Sequence, residues 1–295
     1  MNTHNTRRTL YLLGIAITLL LAATAYLAPR FEYGSDMLAR PIIPLVILLL
    51  LAGALYLVAV SHVRALFPSD KLLITVITFG LLMRAVLFMS KPILEDDFYR
   101  YLWDGAVTAN LYNPYTYTPN QIMWHFDDRN PPDQLTRLAS DSGPVAERIN
   151  HASLGTVYPP ITQAAFAIAH TISPFSLTAW KTVLLACDIG ILLLLLQILR
   201  KTGLPETRIL IYWWNPLLIK ETYNGAHMDL IIMLFLILAL DCAVHQYTLR
   251  TGLALSCAIA AKIWPLILIP LFLRFSRALR PERLNITLIS AAFLA

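Results

Sequence analysis

The sequence predicts an all-α polytopic membrane protein with one large loop between its hydrophobic segments. Of its 295 residues, 57% are hydrophobic and only 14% are charged, and the mean hydropathy is +0.61. A soluble domain is nearer half apolar and a quarter charged, so the bilayer is the expected solvent for most of this chain. Apolar runs of membrane-spanning length recur, whereas residues 91–156 contain no such run and hold most of the polar side chains.

The charge and cysteine content exclude two classes of protein. The net charge of +5 is modest and the basic residues form no stripe, so they are expected to set membrane topology and not to bind nucleic acid. The expected partners therefore include membrane lipids and no nucleic acid. The cysteines lie in apolar runs and are odd in number, which argues against a disulfide framework. They are Cys187, Cys242 and Cys257.

Roughly 20 apolar residues are needed to cross a bilayer as a helix. On that criterion the predicted spans are 9–28, 41–60, 72–90, 157–173, 177–199, 207–220, 229–247 and 251–273. The first run is too long for the core of a signal peptide and further spans follow it, so we predict a retained helix whose start is held in the cytoplasm by Arg7 and Arg8. A further run begins near residue 284 and stops in mid-helix at Ala295, so the chain is expected to continue.

These spans divide the chain into N-terminal transmembrane helices (1–90), an external loop with interfacial helices (91–156) and a transmembrane bundle (157–295). The arginine-rich segment RFSRALRPER (274–283) is predicted to be cytoplasmic. Counting simple spans, however, puts residues 200–208 outside, against the positive-inside rule, and residues 220–229 inside. Two arrangements would correct this: either 251–273 is two half-helices broken at Lys262–Pro265, or an earlier hairpin does not fully cross.

The polar chemistry begins with LEDDFYRYLWDG (94–105), directly after the third span. Residues 95–105 are predicted to form a helix on the membrane surface, ending near Gly105 and followed by a turn at NPY (113–115). Helical periodicity puts four residues on one polar face, with Phe98 and Leu102 opposite. The four are Asp97, Arg100, Tyr101 and Asp104.

The chain places three carboxylates next to one another: Glu95, Asp96 and Asp97. Their mutual repulsion is tolerable only if they are solvated, paired or held at raised pKa values for proton transfer. A solvated amphipathic helix is the simplest interpretation of this segment. A carboxylate at the lipid–water boundary is, however, also well placed to act as a general base toward a hydroxyl group.

Charged residues inside the apolar runs cost about 2.5–3.5 kcal/mol each on insertion scales, so they should face the bundle interior or a wet cavity. They are Arg84, Lys181, Asp188, Asp241 and Lys262. Arg84 is expected to reach toward the acidic loop or a lipid phosphate. Lys262 precedes a proline break, where a cation suits a phosphate.

Residues Glu221, His227 and Asp229 have a spacing that could serve a metal, which would suit a membrane metallohydrolase. A capped helix boundary, with a turn at Asn224–Gly225 and Asp229 in the next helix's first turn, explains the same residues without chemistry. On the residues alone, both interpretations stay open.

Four stretches occur together in one order: LEDDFYRYLWDGAVTANLYNPY, VYPPITQAAFA, WNPLLIKETYNGAHMD and AAKIWPLILIP. Over about residues 90–275 this resembles bacterial members of the GT-C superfamily, most closely the mannosyltransferase-like group. The resemblance implies a GT-C-like transmembrane helix bundle in the cell inner membrane with its active site on the periplasmic face. It implies inverting transfer of a mannose-like hexose from a polyprenyl-phosphate donor to an acceptor hydroxyl of a glycan or lipid. Because many enzymes that use lipid-phosphate sugars need no metal, the resemblance also implies no metal and no other cofactor.

The resemblance also implies roles for residues. Asp96 or Asp97 would act as the base, and Arg100, Lys262 or Arg84 would bind the donor phosphate. The sugar or acceptor pocket would be lined by Glu95, Tyr101, Asp104, Asn113, Tyr115, Tyr158, Gln163, Asn215, Glu221, Asn224, His227 and Asp229. In this chain the acidic loop follows the third span, whereas it commonly follows the first in such enzymes.

A polytopic transporter or flippase for a lipid-linked sugar is the alternative function. It would use the intramembrane charges Asp188, Asp241 and Lys262 as a substrate or proton pathway. It predicts inverted-repeat halves with paired broken helices, and the sequence shows no such symmetry.

Overall fold

The computed structural model describes residues 3–64, 70–124 and 130–277, and within these ranges the chain forms helices and turns without strands. In chain order the α-helices are α1 (Thr3–Leu27), α2 (Ile42–Arg64), α3 (Asp70–Phe88), α4 (Asp97–Ala109), α5 (Pro119–Trp124), α6 (Asp133–Asp141), α7 (Pro144–Glu147), α8 (Pro160–Ile172), α9 (Leu177–Lys201), α10 (Leu210–Trp213), α11 (Pro216–Ile219), α12 (Asp229–Val244), α13 (Thr248–Ala261) and α14 (Ile269–Arg277). Four of them, α1, α2, α3 and α9, are long and apolar enough to cross a membrane. The predicted all-α polytopic membrane protein is confirmed.

The chain forms two compact units. The first contains Met1–Leu94 and Leu192–Ala226, and the second contains Glu95–Ile191 and His227–Ala295, each counted over its described residues. The units are interleaved along the chain, whereas the predicted domains 1–90, 91–156 and 157–295 are consecutive segments. The apolar run near residue 284 and most of the arginine-rich segment 274–283 lie outside the described residues.

In the first unit, the segment Glu206–Asn224 follows α3 from its start to its end. Indole Nε1–H groups anchor it midway: Trp214 donates to the Val76 carbonyl at 2.7 Å and Trp213 to the Ile77 carbonyl at 3.0 Å. Beyond the end of α3, Asn224 donates to the Ser90 hydroxyl at 2.9 Å. The two segments therefore run side by side in the same direction.

This segment corrects the predicted span 207–220, because it is a series of short helices and not one regular helix. A 3₁₀-helix (Glu206–Ile209), α10, α11 and a π-helix (Lys220–Asn224) follow one another. The break occurs at Pro216, which lacks an N–H, and the Asn215 side chain caps the new helix by accepting from the Leu217 and Leu218 amides.

Arg84 stabilises this break from within α3. The residue is 2% exposed, its Nη1 donates to the Trp213 carbonyl at 2.6 Å, and its guanidinium carbon lies 3.4 Å from the centroid of the Trp213 ring. These contacts hold the guanidinium within the first unit, and the expected approach of Arg84 to the acidic loop or a lipid phosphate stays a prediction. A broken helix leaves carbonyl groups without intrahelical partners, and the guanidinium supplies a donor to one of them.

The structure also corrects the predicted span 157–173. Helix α8 has 13 residues, which extend roughly 20 Å and fall short of a bilayer core of about 30 Å. The predicted break in 251–273 is present too: α13 ends at Ala261, Lys262 adopts an extended conformation, and a 3₁₀-helix begins at Trp264. The run predicted at 229–247 forms α12, which has 16 residues.

In the second unit, α4 packs along α8, and α12 and α13 form an antiparallel hairpin. Every residue of α4 from Arg100 to Val107 is buried, so the predicted surface helix is instead an internal one. Gly105 does not end it. The helix continues to Ala109, and a Cβ at Gly105 would clash with the backbone of Phe166, so the absent side chain permits close packing of α4 on α8.

Candidate active site

The three adjacent carboxylates at the start of α4 have three different environments. Glu95 Oε2 lies 3.2 Å from His227 Nε2, and both side chains are about a quarter exposed. Asp96 is exposed, and its Oδ1 lies 3.4 Å from Asn150 Nδ2. Asp97 is half-buried, and nothing among the described residues donates a hydrogen bond to its carboxylate or forms an ion pair with it.

Asp97 lies beside an aromatic cluster, and its negative charge raises the pKa values of two tyrosines in that cluster. Burial, followed by the negative charge of Asp97, raises the pKa of Tyr158 to about 12. Burial is also the main cause that raises the pKa of Tyr101, with smaller contributions from Tyr158, Asp97 and Asp229. Both phenols are therefore neutral near pH 7 and remain hydrogen-bond donors.

The rings of this cluster hold one another in place. Tyr101 stacks on Phe166 with 4.8 Å between ring centroids, and Tyr158 meets Tyr101 edge-on at 5.1 Å. Trp180, which is completely buried, closes the cluster at 5.0 Å from Phe166. Offset and edge-on pairs of this kind add to the free energy of burial, so the position of the two hydroxyl groups is well defined.

Lys262 lies at the helix break and forms an exposed ion pair in which the partner can be replaced. Its Nζ is 2.8 Å from Asp229 Oδ1, and the two side chains are 43% and 56% exposed. An ion pair this exposed contributes about 0–1 kcal/mol, so an incoming phosphate can replace the carboxylate at small cost.

A buried hydrogen-bond network joins α4 to α8 and to the segment that precedes α8. Arg100 Nε lies 2.8 Å from Asp104 Oδ1, while Thr156 and Gln163 both donate to Asp104 Oδ2. Burial raises the pKa of Asp104, and the Arg100 charge and the two donors oppose that rise. Arg100 Nη1 also donates to the Leu154 carbonyl at 3.1 Å.

Tyr115 and Asn113 support the same region from the loop after α4. The Tyr115 hydroxyl donates to the Tyr158 carbonyl at 2.7 Å, and Asn113 Oδ1 accepts from the Tyr115 amide at 2.9 Å. The second bond forms the predicted turn at residues 113–115. Together they fix the backbone that carries the Tyr158 phenol.

The remaining predicted site residues belong to the first unit. Asn224 donates to the Lys91 carbonyl at 2.7 Å and accepts from the Ile93 amide at 3.1 Å, besides its bond to Ser90. Glu221 Oε1 lies 3.1 Å from Lys220 Nζ. Arg84 and Asn215 stabilise the helix break. Asn224, Arg84 and Asn215 therefore make contacts that stabilise the first unit, whereas the ion pair of Glu221 is with its neighbour in sequence.

The structure thus assembles the site in the second unit from residues distant in sequence. The predicted residues that it gathers there are Glu95, Asp97, Tyr101, Tyr158, His227, Asp229 and Lys262. Sequence reasoning missed Asn150 and Thr156, which lie in a polar loop with no motif to mark them. Within this unit His227 and Asp229 contact different charged partners, Glu95 and Lys262, so their spacing alone does not bring them onto one ligand.

A comparison with protein families matches residues 11–276 to the family described as alpha-(1->6)-mannopyranosyltransferase, N-terminal domain. Comparisons with curated proteins and with solved structures give no significant match. The matched range includes the acidic start of α4, the aromatic cluster, the break at Lys262, the whole of α2, α3 and α9, and α1 from residue 11 onward. The predicted resemblance to GT-C-type mannosyltransferases is confirmed. The chain belongs to the alpha-(1->6)-mannopyranosyltransferase family and is a membrane glycosyltransferase that acts on a sugar donor and an acceptor.

Proposed function

We propose that the protein transfers a mannosyl residue from a polyprenyl-phosphate carrier to a hydroxyl group of a glycan or lipid acceptor, at the external face of the cytoplasmic membrane. The family description supports mannosyl transfer. Four bilayer-length apolar helices support a donor that is itself anchored in lipid. The single observation that carries the proposal is the Asp97 carboxylate, which lacks a partner in the described part of the chain while Glu95, Asp104 and Asp229 are all paired.

In this mechanism Asp97 is the general base. It accepts the proton of the acceptor hydroxyl while that oxygen forms a bond to the anomeric carbon. The bond from the anomeric carbon to the phosphate oxygen breaks, and polyprenyl phosphate leaves with the electron pair. Attack from the face opposite the phosphate inverts the configuration, so an alpha-linked product requires a beta-linked donor.

Asp97 suits this role better than Asp96. Asp96 is exposed and near Asn150, whereas Asp97 is half-buried beside two neutral phenols. With no hydrogen-bond donor or ion-pair partner among the described residues, the Asp97 carboxylate is available to an acceptor hydroxyl group. Tyr101 donates its hydroxyl proton to the Tyr158 oxygen, so the Tyr158 phenol is the one positioned to donate a hydrogen bond to a sugar hydroxyl group beside Asp97.

The cation for the departing phosphate is Lys262. It is half-exposed, and its pair with Asp229 is weak enough to exchange. By contrast, Arg84 is buried against Trp213 and Arg100 is buried against Asp104. Drawing either of them onto a phosphate would break buried contacts.

The topology of the first unit supports an external site. Arg200 and Arg208 lie near the start of α3, and the positive-inside rule assigns that end to the cytoplasm. The end of α3, together with residues 91–156 that follow it, is then external. Simple span counting put residues 200–208 outside and residues 220–229 inside. In this arrangement residues 200–208 lie at the cytoplasmic end and residues 220–224 at the external end, which satisfies the positive-inside rule.

The test uses the full chain in lipid nanodiscs with a short-chain polyprenyl-phosphomannose and a mannoside acceptor. Asp97→Asn should lower kcat by at least about 100-fold, the lower range for general-base catalysis. Asp141→Asn, an exposed aspartate in the same unit, is the matched control and should retain activity. Asp97→Asn transferring mannose at the wild-type rate would exclude Asp97 as the base. Movement of the donor across the bilayer without a new glycosidic bond would favour a flippase, and loss of activity with a chelator would favour a metal-dependent enzyme.

A further inference from the structure

The first unit contains a polar cavity that plays no part in the proposed transfer. Its volume is about 460 Å³, and it lies where α3 begins and α9 ends. Asp70, Leu73 and Ile74 of α3 form one wall, and Arg200 with residues 203–207 forms the other. Both charged and apolar side chains therefore meet at the end of two helices of membrane-spanning length.

One residue that lines this cavity, Thr207, has a buried hydroxyl group without a hydrogen-bond partner among the described residues. The residue is 1% exposed and lines the cavity, and its Oγ1 has no hydrogen-bond partner in the described part of the chain. Threonines elsewhere in this chain, such as Thr202 and Thr251, satisfy their hydroxyl groups on backbone carbonyls. Burying a hydroxyl without a partner is unfavourable, so a bound polar group at this position would stabilise the structure.

The charges of the cavity select the kind of ligand. Arg200 Nη2 lies 2.8 Å from Glu206 Oε2, and the hydrogen bond from Arg200 lowers the pKa of Glu206 and keeps it ionised. Asp70 is exposed and forms no ion pair with any described residue. Two carboxylates with one guanidinium disfavour a purely anionic ligand and fit one that carries both an amine and a phosphate.

The apolar wall of the cavity favours a membrane lipid over a soluble molecule as the ligand. Ile74 is 63% exposed and Leu204 is 41% exposed, and Ile74 lies on a helix that is long and apolar enough to cross the bilayer. A ligand in this cavity can therefore place acyl chains beside these residues while its headgroup stays among the charges. A soluble zwitterion would leave the apolar wall without a partner.

We propose that this cavity binds the headgroup of an aminophospholipid, with the primary amine between Asp70 and the Thr207 hydroxyl and the phosphodiester on Arg200. The basic residues at this end assign it to the cytoplasmic leaflet. The site is separate from the mannosyl donor site, since none of its residues belongs to the second unit. Its occupation would stabilise the protein without entering the transfer reaction.

Titration of delipidated full-length protein in detergent, followed by native mass spectrometry, tests the proposal. Phosphatidylethanolamine should bind more tightly than phosphatidylcholine or phosphatidylglycerol. Thr207→Val and Asp70→Asn should each weaken phosphatidylethanolamine binding by about fivefold or more, the loss expected for one hydrogen bond. Asp141→Asn, outside the cavity, should leave it unchanged.

Thermal unfolding gives a second test, in which the order of stability of Thr207→Val and wild type depends on whether the lipid is present. Without aminophospholipid, Thr207→Val should be at least as stable as wild type, because it removes an unpaired buried hydroxyl. With phosphatidylethanolamine present, wild type should be the more stable of the two. Equal phosphatidylethanolamine affinity in Thr207→Val, Asp70→Asn and wild type would overturn the site. Tighter binding of phosphatidylglycerol, or equal binding of soluble glycerophosphoethanolamine, would overturn the lipid assignment.

Discussion

Gly105 of α4 faces the backbone of Phe166 of α8 so closely that no other residue fits without moving one of the helices. The contact places Tyr101, one turn before Gly105, in register to stack on the Phe166 ring. It is therefore the contact on which the geometry of the aromatic cluster depends.

Gly105→Ala should lower the free energy of unfolding by more than the usual 1–3 kcal/mol of an overpacked core, because the obstacle is backbone and not a flexible side chain. Thermal unfolding of the purified protein in detergent measures this. The matched control is Gly155→Ala in the same unit, where a Cβ meets nothing within 4 Å. Similar melting temperatures for the two variants would show that α4 and α8 are not packed as described.

Arg84→Lys tests whether the buried arginine serves the fold or the donor. Lysine keeps the charge but loses the planar guanidinium that stacks on Trp213 while donating to its carbonyl. We expect a lower melting temperature and an unchanged KM for the donor among molecules that remain folded. A large rise in donor KM with no change in stability would instead identify Arg84 as a phosphate ligand.

Lys262 and Asp229 should respond differently to substitution. Lys262→Ala removes the cation proposed for the phosphate and should raise the donor KM and lower kcat, whereas Lys262→Arg should restore part of the activity. Asp229→Asn removes only the competing carboxylate and should leave the donor KM unchanged or lower. Steady-state kinetics at several donor concentrations measures these effects. A donor KM that Lys262→Ala leaves at the wild-type value would remove Lys262 from the phosphate site.

Tyr158→Phe tests whether the phenol acts as a neutral donor. Since burial and the Asp97 charge raise the pKa of Tyr158 to about 12, the hydroxyl stays protonated throughout the working range. The ratio of wild-type to Tyr158→Phe kcat/KM should therefore be above one and constant between roughly pH 6 and roughly pH 10. A ratio that falls toward one as the pH rises through this range would mean that Tyr158 ionises there.

Single cysteines can locate the two ends of the first unit. In a background with Cys187, Cys242 and Cys257 replaced by serine, Lys91→Cys should react with an impermeant maleimide from outside intact cells. Thr202→Cys should react only in inside-out vesicles. Both positions are exposed. Labelling of both from the same side would contradict the topology in which 206–224 runs alongside α3.

Several features could be predicted from the sequence because they depend on local composition. The four long apolar runs become the helices α1, α2, α3 and α9, since a run of this length can satisfy its backbone only as a helix in lipid. The proline makes a break at Lys262–Pro265 one of the two arrangements that the sequence allows, and the structure contains that break. The acidic start of α4 and the family resemblance follow from residues adjacent in sequence.

Other features depended on partners that the sequence does not identify. Helical periodicity correctly predicts a helix beginning near residue 95, but it cannot show that α8 covers that helix, so a buried element was predicted as a surface one. The charge of Arg84 does not show whether it binds a phosphate or a carbonyl group. Trp213, whose carbonyl accepts its hydrogen bond, is far from Arg84 along the chain, so the sequence does not indicate this contact.

The sequence by itself determined that this is a helical membrane protein with an acidic, aromatic segment next to its third span, because hydropathy and local spacing are properties of consecutive residues. Only the tertiary structure decided which carboxylates of the site are paired. Pairing depends on His227, Lys262, Thr156 and Gln163 arriving from separate segments. An ion pair or hydrogen bond acts over a few ångströms in space, whatever the separation along the chain. The lack of a donor or ion-pair partner for Asp97 among the described residues therefore followed from the fold and not from its neighbours in sequence.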